Sequence, residues 1–348
     1  MIKAAIVGAS GYGGAELIRL LKAHPEVELS GLASRAHANK PAGEVWPQLE
    51  GELRFSDVED AVADAEVVFL ATPNGVAMEL APDLLASGKR VIDLSADFRL
   101  DQKTFEAWYR MPHQAPELLK EARYGLVELH RKELKGARLV ANPGCYVTAA
   151  SLALAPFFAE GLVEEAVVNA ASGVSGAGRE AAGSAFAEVN EDYKAYKPAG
   201  SHRHTPEIEQ NLGRARAQGR WLETWGPEEA AKVTFVPHLV PMTRGILVTA
   251  YLRPQKGLST EAALSLLKEF YSGEPFVRVS QALPRTKGTY AANTVWISAR
   301  ADGRTGWLVV FAALDNLIKG ASGQAVQNLN AVYGLDETLG LSREGIWP

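Results

Sequence analysis

The stretch Ile2–Gly14, IKAAIVGASGYGG, decides the expected fold of the N-terminal half. Its short apolar run predicts a buried strand, and the segment after the glycines carries Leu17, Leu20 and Leu21 on one helical face. Glycines at such a strand-to-helix turn let backbone amides approach a pyrophosphate, whose charge the helix N-terminus favours. The spacing G-x-x-G-x-G departs from the standard G-x-G-x-x-G, so the position of the turn, more than the motif, favours a dinucleotide site. We expect the nucleotide to contact Gly8, Ser10, Gly11, Tyr12 and Gly13.

Four more apolar runs follow within the first 150 residues, with amphipathic segments between them. Their alternation with those segments is the pattern of βαβ units, so it predicts a parallel Rossmann-type sheet. Ligands collect at the carboxyl edge of such a sheet, where the segments after the strands meet. The four predicted strands are Val27–Ala33, Val67–Thr72, Arg90–Ser95 and Arg138–Asn142.

The second half of the chain has a different pattern. An apolar, buried helix follows Cys145 and ends before Gly161, and spaced strands with turns between them come after it. A helix over Ser259–Tyr271 is expected to pack against these strands. The pattern predicts a second, mixed α+β domain with a largely antiparallel sheet, so that the chain as a whole is α/β. The strands are expected in EAVVNAAS, KVTFVPHLVP, GILVTAYL, NTVWISAR and GWLVVFAALD.

Length and charge exclude several classes of protein. A chain of 348 residues exceeds the size at which single cores usually stop growing, so two domains are expected. The net charge of −5 is spread along the chain and gives no electrostatic case for a nucleic-acid or anionic-membrane partner. The arginines from Arg203 to Arg220 are interpreted as a solvated helix face. The first apolar run is too short for a signal segment and no apolar stretch reaches membrane-spanning length, so a cytoplasmic protein is expected.

The only cysteine, Cys145, lies in NPGCYVT, Asn142–Thr148, where the last predicted strand of the first half gives way to a helix. Unpaired amides and the dipole at a helix N-terminus stabilise thiolate over thiol, and the thiolate is the nucleophile. An inert buried thiol is the ordinary expectation for a cysteine. At this corner of the sheet we favour a nucleophile.

A nucleophilic cysteine needs an acid/base partner, and the stretch SHRHTPEIEQ, Ser201–Gln210, offers two histidines. Thr205 is expected to cap a helix that begins with the next residue, a proline, which explains Thr-Pro without a function. His202 and His204 have no such explanation, and an extended His-x-His places both rings on one side. Glu207 is near enough in sequence to orient one ring, or serves only the helix dipole.

The end of the second strand bears on the choice of cofactor. An NAD site places an acidic residue there for the ribose 2′-hydroxyl, whereas this chain has Ser34 and Arg35. Arginine binds a 2′-phosphate through paired hydrogen bonds, so NADP is favoured over NAD, the alternative being a surface arginine. Pro73, just after the third strand, is also expected to contact the cofactor.

Two cations are candidates for binding an anionic substrate. Arg99, in DLSADFRL after the fourth strand, is a candidate clamp for phosphate, the alternative being a salt bridge to Asp97 or Asp101. Arg244, in PMTRG, is a candidate for binding a substrate carboxylate. No metal is expected. The full set of substrate-binding candidates is Ser95, Arg99, Ser172, Gly173, His202 and Arg244.

Taken in order, the motifs resemble those of the N-acetyl-γ-glutamyl-phosphate reductases of arginine biosynthesis. They extend from residue 8 to about 330, nearly the whole chain, and Val140–Pro156, VANPGCYVTAASLALAP, matches the family's cysteine signature. The family is similar in fold to aspartate-semialdehyde dehydrogenase. The matching stretches are GASGYGG, DLSADFR, NPGCYVT, SGVSGAGR, HRHTPEI, PMTRGI and DNLIKGASGQAVQN.

The resemblance implies a domain organisation and a reaction. A discontinuous NADP-binding Rossmann domain would comprise residues 1–148 and 316–348, and a catalytic and dimerisation domain residues 149–315. The reaction implied is the NADPH-dependent reduction of N-acetyl-γ-glutamyl phosphate to N-acetylglutamate semialdehyde and phosphate, through a cysteine thioester. A homodimer or homotetramer is expected.

The resemblance also implies residue roles. Cys145 falls on the family's nucleophile and His204 on its acid/base histidine. The other matching positions are His202 and Glu207 in the active site, Arg99 in the region that handles the phosphoryl group, and Asn316 in the segment that faces the nicotinamide.

Two alternatives remain at this point. A related reductase of lysine biosynthesis acts on aminoadipyl or glutamyl phosphate carried on a small acidic protein, a partner that the arginines from Arg203 to Arg220 would suit. That branch departs from NPGCY around its cysteine, which favours the free N-acetyl substrate. The second alternative is a protein that senses nucleotide without chemistry, but it would have no reason to keep thiol, histidine and arginine candidates together.

Overall fold

A computed structural model describes residues 1–179, 186–217 and 231–347, so Arg220 lies outside the described residues. Within these ranges the chain forms fourteen strands and eleven helices. The strands are β1 (Ile2–Val7), β2 (Val27–Ala33), β3 (Phe55–Ser56), β4 (Val67–Leu70), β5 (Arg90–Asp93), β6 (Arg123–Tyr124), β7 (Leu139–Ala141), β8 (Glu165–Gly173), β9 (Lys194–Ala195), β10 (Lys232–Val240), β11 (Ile246–Leu252), β12 (Val277–Val279), β13 (Val295–Asp302) and β14 (Trp307–Leu314). The helices are α1 (Tyr12–Lys22), α2 (Ala42–Val45), α3 (Val58–Val62), α4 (Val76–Ala86), α5 (Gln102–Tyr109), α6 (Val127–Leu134), α7 (Cys145–Ala159), α8 (Phe186–Val189), α9 (Thr205–Arg216), α10 (Thr260–Phe270) and α11 (Gly323–Tyr333). Short 3₁₀ turns cover Pro116–Lys120, Val174–Ala177 and Thr286–Thr289, and a π-helical turn covers Ile318–Ser322.

The chain divides into two compact units. Unit 1 comprises Met1–Pro143 and Ala321–Leu341, and unit 2 comprises Gly144–Gly320 and the residues from Ser342 onward. The expected first domain, residues 1–148 with 316–348, is larger than unit 1. Residues 144–148, 316–320 and those from 342 onward belong to unit 2 instead. The tail belongs to unit 2 because it is hydrogen-bonded there: the Asn293 amide donates to the Ser342 carbonyl at 2.8 Å.

Unit 1 is built on a seven-stranded, wholly parallel sheet in the order β3-β2-β1-β4-β5-β7-β6. The predicted Rossmann-type sheet is confirmed, with β1 and β2 at the predicted bounds and β4, β5 and β7 ending slightly earlier than predicted. The two-residue strands β3 and β6 were not predicted, because so short a pairing carries no periodic signal. Since the strands are parallel, the segments that follow them leave one edge of the sheet together.

α11 completes unit 1 from the far end of the sequence by packing against α1, α6 and β5. It is almost wholly buried although it carries several amides, because those amides bond to separate parts of the unit. Gln324 Nε2 donates to the Gly125 carbonyl at 3.0 Å, and Asn328 Nδ2 donates to Asn142 Oδ1 at 2.9 Å. Asn142, just past β7, donates in turn to the Ala321 carbonyl at 3.2 Å. The C-terminal helix therefore fixes the end of β7.

Unit 2 contains a second seven-stranded sheet, in the order β12-β13-β14-β11-β8-β10-β9. β8 with β10 and β12 with β13 pair in parallel, and the other neighbours are antiparallel, which confirms a mixed and largely antiparallel sheet. α7 and α10 pack on one face of it. Every residue of α7 from Tyr146 to Phe158 is buried, as expected of a helix that is apolar all round.

The other face of the unit 2 sheet is less covered. Side chains along β8 and β11 alternate between buried and partly exposed, and Val167 is 38% exposed. Val236, Leu247 and Phe311, on neighbouring strands of this face, are only partly buried. Polar residues such as Asn169 and Thr249 lie on the same face, which is therefore mixed and is not a closed core. None of the helices in the described ranges combines the length and apolarity needed to cross a membrane.

Candidate active site

Cys145 is the first residue of α7 and is half-buried. Gly144, the residue before it, occupies the N-cap position in an extended conformation, with φ −69° and ψ 149°. A glycine cannot cap a helix with a side chain, so the amides of the first turn are left for other acceptors. Cys145 therefore lies at a helix N-terminus, as the sequence predicts, where the helix dipole favours the thiolate.

The imidazole of His204 packs directly on the backbone of Gly144. A Cβ placed on Gly144 would lie 2.5 Å from His204 Nε2, far inside contact distance. His204 reaches this point because it precedes the first turn of α9 at the N-cap position. The expectation that Thr205 caps this helix is wrong by one residue: Thr205 is its first residue, and its hydroxyl has no hydrogen-bond partner among the described residues.

A second glycine lets the chain close on the other side of Cys145. A Cβ on Gly320 would lie 2.8 Å from the Cβ of Cys145. Gly320 belongs to the π-helical turn Ile318–Ser322, an arrangement that is frequent at functional sites. Gly144 and Gly320 therefore each allow a close approach that a side chain would prevent, the first to His204 and the second to Cys145.

Glu207 holds the backbone of the same corner. Its carboxylate is 1% exposed, and its Oε1 accepts a hydrogen bond from the Gly144 amide at 3.0 Å. The two residues are 63 positions apart, and sequence reasoning connected Glu207 only with the histidines and its own helix. The carboxylate therefore supplies the acceptor that Gly144 lacks at the start of α7. Its predicted orientation of a histidine ring stays a prediction.

His202 lies beside His204 in unit 2. The two ring centroids are 4.8 Å apart, and His202 Nδ1 accepts from the His204 amide at 3.1 Å. The segment forms a turn, with φ −79° and ψ −13° at His204, so the expected extended conformation is wrong although the rings are close. Burial, and secondly the charge of His204, lower the pKa of His202 to about 2. His202 is therefore neutral near pH 7.

Two tyrosines lie beside these histidines in unit 2 and were missed in the sequence: the Tyr146 ring contacts both His202 and His204, and the Tyr196 ring contacts His202. The Tyr196 hydroxyl donates to the Tyr146 hydroxyl at 3.1 Å, which donates to the His238 carbonyl at 3.1 Å. Burial raises the pKa of Tyr146, and raises that of Tyr196 to about 12; a negative charge on Cys145 raises both pKa values further. Both hydroxyls therefore stay protonated and lie near the thiolate position. The signal for Tyr146 was its place directly after the cysteine.

The glycine-rich loop after β8 is joined to two other segments of unit 2. Asn316, which is buried, accepts from the Gly245 amide through Oδ1 at 2.7 Å and donates through Nδ2 to Ser175 Oγ at 3.0 Å. A Cβ on Gly173 would lie 2.8 Å from the Arg244 amide nitrogen, so the loops touch backbone to backbone. The Asn316 amide is thus a joint between loops, and its predicted contact with the nicotinamide stays a prediction.

Ser172, at the end of β8, is buried, and its hydroxyl donates to the Gly173 carbonyl at 3.0 Å. A hydrogen bond between Ser172 and Tyr146 opposes the rise in the pKa of the tyrosine, which places Ser172 next to the aromatic side chains. Ser172 and the adjacent Gly173 therefore lie close to Tyr146.

Arg244 forms an ion pair that the sequence did not predict. Its Nε lies 3.2 Å from Oδ2 of Asp315, whose side chain is fully buried, and its guanidinium lies 5.2 Å from the Tyr290 ring centroid. Asp315 also accepts from the Ala291 and Leu317 amides at 2.7 and 2.9 Å. The charge of Arg244 is therefore balanced within unit 2, and a substrate carboxylate would have to share the guanidinium with Asp315.

In unit 1, the first turn of α1 leaves space that the protein does not fill. Gly11 is the N-cap, without a side-chain cap, and a Cβ on it would meet only the Gly8 carbonyl oxygen, at 3.6 Å. A Cβ on Gly13 would meet only Ser322 Oγ, at 3.7 Å. The hydroxyl of Thr72, beside this turn, is buried and has no hydrogen-bond partner among the described residues. An open cradle of amides with an unsatisfied hydroxyl fits a bound dinucleotide pyrophosphate.

The residues predicted to choose the cofactor lie at the ends of β2 and β4. Ser34 is buried and donates to Ser10 Oγ at 2.9 Å. Arg35 is exposed and forms no hydrogen bond or ion pair with any residue that the structure describes. Pro73 is exposed in the loop between β4 and α4, and the Tyr12 ring lies 6.2 Å from that of Trp46. Arg35 and Pro73 are therefore accessible to a ligand.

The residues predicted to bind the phosphoryl group follow β5. Ser95 Oγ donates to Oδ2 of the buried Asp93 at 2.8 Å. Arg99 is 8% exposed, and its Nη2 donates to the Leu94 carbonyl at 2.7 Å. Burial, and then the charge of Asp97, raise the pKa of Asp93 to about 7, whereas the charge of Arg99 lowers it. The guanidinium therefore lies near Asp93.

The two carboxylates considered as alternative partners of Arg99 accept hydrogen bonds from backbone amides at the starts of helices. Asp101 accepts from the Thr104 amide at 3.0 Å and caps α5. Asp97 accepts from the Gly75 and Met78 amides, at 2.9 and 3.1 Å, at the start of α4. A salt bridge to either is therefore not needed to explain these two carboxylates.

Comparison with known proteins agrees with this arrangement. Residues 3–137 match the semialdehyde dehydrogenase NAD binding domain, and residues 145–316 match the semialdehyde dehydrogenase dimerisation domain. Aspartate semialdehyde dehydrogenase II from Vibrio cholerae has a similar fold, with a TM-score of 0.72, 16% identity and coverage of 95% of this chain and 98% of that chain. The Candida albicans enzyme, solved with NADP, has a TM-score of 0.69, 17% identity and coverage of 95% and 98%. Fold and cysteine site thus define a protein of the semialdehyde dehydrogenase class.

Curated relatives identify one family within this class. N-acetyl-γ-glutamyl-phosphate reductase from Thermus thermophilus is 60% identical over 99% of both chains. The proteins of the same name from Heliobacterium modesticaldum and Desulforudis audaxviator are 47% and 49% identical over the full length of both chains. The chain belongs to the N-acetyl-γ-glutamyl-phosphate reductase family, and the resemblance stated from its motifs is confirmed.

Proposed function

We propose that this chain reduces N-acetyl-γ-glutamyl phosphate to N-acetylglutamate semialdehyde and phosphate with NADPH, as a step of arginine biosynthesis. The observation that carries the proposal is the start of α7, where Cys145 follows directly after Gly144 and the ring of His204 packs on the backbone of Gly144. The substrate is supported by the name of relatives up to 60% identical over nearly the whole chain.

The first half of the reaction uses the thiolate of Cys145. Its sulfur attacks the acyl carbon of the acyl phosphate, the bond from that carbon to the phosphate oxygen breaks, and phosphate leaves with the electron pair. A thioester remains on Cys145. Amides of the first turn of α7 stabilise the negative oxygen of the tetrahedral intermediate. Glu207 keeps the corner in place by accepting from the Gly144 amide.

In the second half, NADPH supplies a hydride to the thioester carbonyl carbon when it is bound. His204 donates a proton to the oxygen that gains negative charge and takes it back as the carbon–sulfur bond breaks. The aldehyde leaves and the thiolate is restored. His202, neutral near pH 7 because of its low pKa, serves this step as a hydrogen-bonding group and not as an acid.

For the cofactor, we propose that Gly8, Ser10, Gly11, Tyr12 and Gly13 bind the pyrophosphate. The unfilled space at the first turn of α1 and the buried hydroxyl of Thr72 support this assignment. We assign the 2′-phosphate to Ser34 and Arg35, supported by the exposed, unengaged guanidinium. The residues proposed for the nicotinamide end are Pro73 and Asn316.

For the substrate, Arg99 is the stronger candidate for the phosphoryl group. It is nearly buried and follows a strand at the sheet edge, where ligands collect. We keep Arg244 as a contact for the substrate carboxylate, shared with Asp315. The remaining proposed substrate contacts are Ser95, Ser172, Gly173 and His202.

The two parts of the chain divide this work in our proposal. The NADP-binding part, expected from the sequence as residues 1–148 with 316–348, corresponds to unit 1. The catalytic and dimerisation part, expected as residues 149–315, corresponds to unit 2, which also contains Cys145. Oligomers are expected of a chain that matches a dimerisation domain. The partly exposed face of the unit 2 sheet is our proposed contact in a homodimer, alone or within a homotetramer, since exposed apolar side chains such as Val167, Leu247 and Phe311 are usually covered where they cluster. We assign the protein to the cytoplasm, where its cofactor and its reduced thiol are maintained.

The direct test is phosphate-dependent reduction of NADP with N-acetylglutamate semialdehyde, compared with the N-acetylaminoadipate semialdehyde analogue. We expect turnover that requires phosphate and a higher kcat/KM for the glutamate compound. A preference for the longer analogue would contradict the substrate assignment. Turnover of neither compound would contradict the reaction itself.

A further inference from the structure

Two loops at the sheet edge of unit 1 carry different predicted ligands. The loop between β4 and α4 contains Pro73, which we assign to the cofactor. The segment after β5 contains Ser95 and Arg99, which we assign to the substrate. β4 and β5 are paired and parallel, so the two loops leave the sheet side by side.

Asp97 joins these loops. Both oxygens of its carboxylate lie 2.9 Å from the Gly75 amide nitrogen, and Oδ2 also accepts from the Met78 amide at 3.1 Å. Gly75 adopts a φ of +98°, a conformation that favours glycine and presents its amide to the carboxylate. The carboxylate of the substrate segment thus fixes the turn of the cofactor loop.

A second link runs in the opposite direction. Oδ1 of Asn74, in the cofactor loop, accepts from the Ala96 amide, in the substrate segment, at 3.1 Å. The Asp97 amide donates to Ser95 Oγ at 3.1 Å, and its carbonyl accepts from His113 Nε2 at 2.7 Å. Side chains of each loop therefore bind the backbone of the other, and neither loop can change conformation without breaking these bonds.

We propose that Asp97 and Asn74 are positioning residues that couple the cofactor loop to the phosphoryl-binding segment, so that binding of NADPH and binding of a phosphoryl group strengthen each other. This inference rests on the proposed function. Because the coupling between two ligands is reciprocal, it is measured from either side. A role confined to folding would change stability and leave the ratio of affinities unchanged.

The experiment measures the dissociation constant of NADPH by fluorescence, with and without saturating inorganic phosphate. In the wild type we expect phosphate to tighten NADPH binding at least about fivefold, a typical size for coupled sites. Asp97→Ala and, separately, Asn74→Ala are expected to bring this ratio close to one. Asn74→Asp, which keeps the acceptor oxygen, restores it. Two variants in different loops keep the test valid if one of them fails to fold.

Asp101→Ala is the matched control, because Asp101 caps α5 from the same segment. It is expected to keep the wild-type ratio. A ratio of one in the wild type, or a wild-type ratio in both Asp97→Ala and Asn74→Ala, would overturn the coupling while leaving the reaction intact. Failure of the wild type to bind NADPH at all would instead contradict the proposed function on which the coupling rests.

Discussion

The turn before α1 and the turn before α7 are alike in sequence and opposite in what fills them. Each follows a parallel strand, contains glycine at the N-cap, and lacks a side-chain cap. At Gly11 and Gly13 an added Cβ would find nothing nearer than 3.6 Å, whereas at Gly144 it would lie 2.5 Å from the ring of His204. The first turn leaves this space open, and at the second turn the side chain of His204 occupies it.

This contrast shows how one local motif serves two purposes. Open space beside a glycine at a helix N-terminus is room in which a ligand can approach the backbone amides. At Gly144 the missing side chain instead lets the N-cap residue of another helix pack on the backbone. The difference is visible only in three dimensions, because both turns read as strand, glycine and helix in the sequence.

The largest effect is expected from Gly144→Ala. The backbone angles of Gly144 suit alanine, so the methyl group acts only by displacing the His204 ring. We expect kcat to fall about 100-fold, the cost of misplacing a catalytic group by about an ångström. NADPH affinity is expected to stay unchanged. Steady-state kinetics and NADPH titration check both, with Gly257→Ala, where nothing lies within 4 Å, as the control.

Gly13→Ala should have the opposite profile. The methyl group would meet only Ser322 Oγ, at 3.7 Å, so the folded protein accommodates it. We expect NADPH affinity to fall about tenfold, equivalent to about 1.4 kcal/mol, because the methyl group occupies space needed by the pyrophosphate. The kcat at saturating NADPH is expected to be retained. An unchanged dissociation constant would show that the space at this turn is not used by the cofactor.

Arg35→Ala tests the choice between the two nicotinamide cofactors. Loss of a charge-assisted contact to the 2′-phosphate is expected to weaken NADPH binding about tenfold or more, with little effect on NADH. Lys40→Ala, which removes another exposed cation from the same region, is the control for a general loss of positive charge. Equal losses for NADPH and NADH would remove the argument for the 2′-phosphate.

The smallest effect concerns pH, for which the two units are expected to differ in sign. In unit 1, burial and Asp97 raise the pKa of Asp93 from 3.8 to about 7. The folded state therefore binds more protons, and this contribution to stability is fully present below about pH 4 and is lost as the pH rises through about 7. In unit 2, the pKa of His202 is lowered from 6.5 to about 2, so its contribution is present above about pH 6.5 and is lost as the pH falls.

Thermal unfolding of the wild type, Asp93→Asn and His202→Gln between pH 4 and 8 checks both signs. Relative to the wild type, Asp93→Asn is expected to gain stability as the pH rises, and His202→Gln as the pH falls. Asp101→Asn, an exposed capping residue, controls for the loss of a carboxylate. Differences that do not vary with pH would show that neither group titrates as described.

The features that the sequence predicted correctly are those with a local signal. β1, β2 and α7 follow from their apolar runs, and the place of Cys145 at the start of α7 follows from its position between a predicted strand and a predicted helix. The role of Cys145 as the nucleophile stays a prediction. The pairing of His202 with His204 follows from a separation of two residues. The N-cap of α9 was predicted one residue too late, because His204, and not Thr205, occupies the position before this helix.

The features that were missed connect distant parts of the chain. The Gly144 amide binds Glu207 across 63 positions, and Arg244 pairs with Asp315 across 71. No periodicity or spacing carries such contacts, because they depend on how β11, β14 and α9 are arranged around α7. The sequence therefore indicates the candidate reacting groups, but it does not indicate the hydrogen bonds and ion pairs that position them.

The central claim is that the reaction passes through a thioester on Cys145, and mass spectrometry tests it most directly. The enzyme is mixed with N-acetylglutamate semialdehyde and NADP in the absence of phosphate, which is the group that releases the acyl chain. The account predicts about one NADPH formed per active site and an N-acetylglutamyl adduct on the peptide that contains Cys145, with neither in Cys145→Ser. Full turnover by Cys145→Ser, or turnover of the wild type on adding phosphate without any adduct before it, would contradict the account.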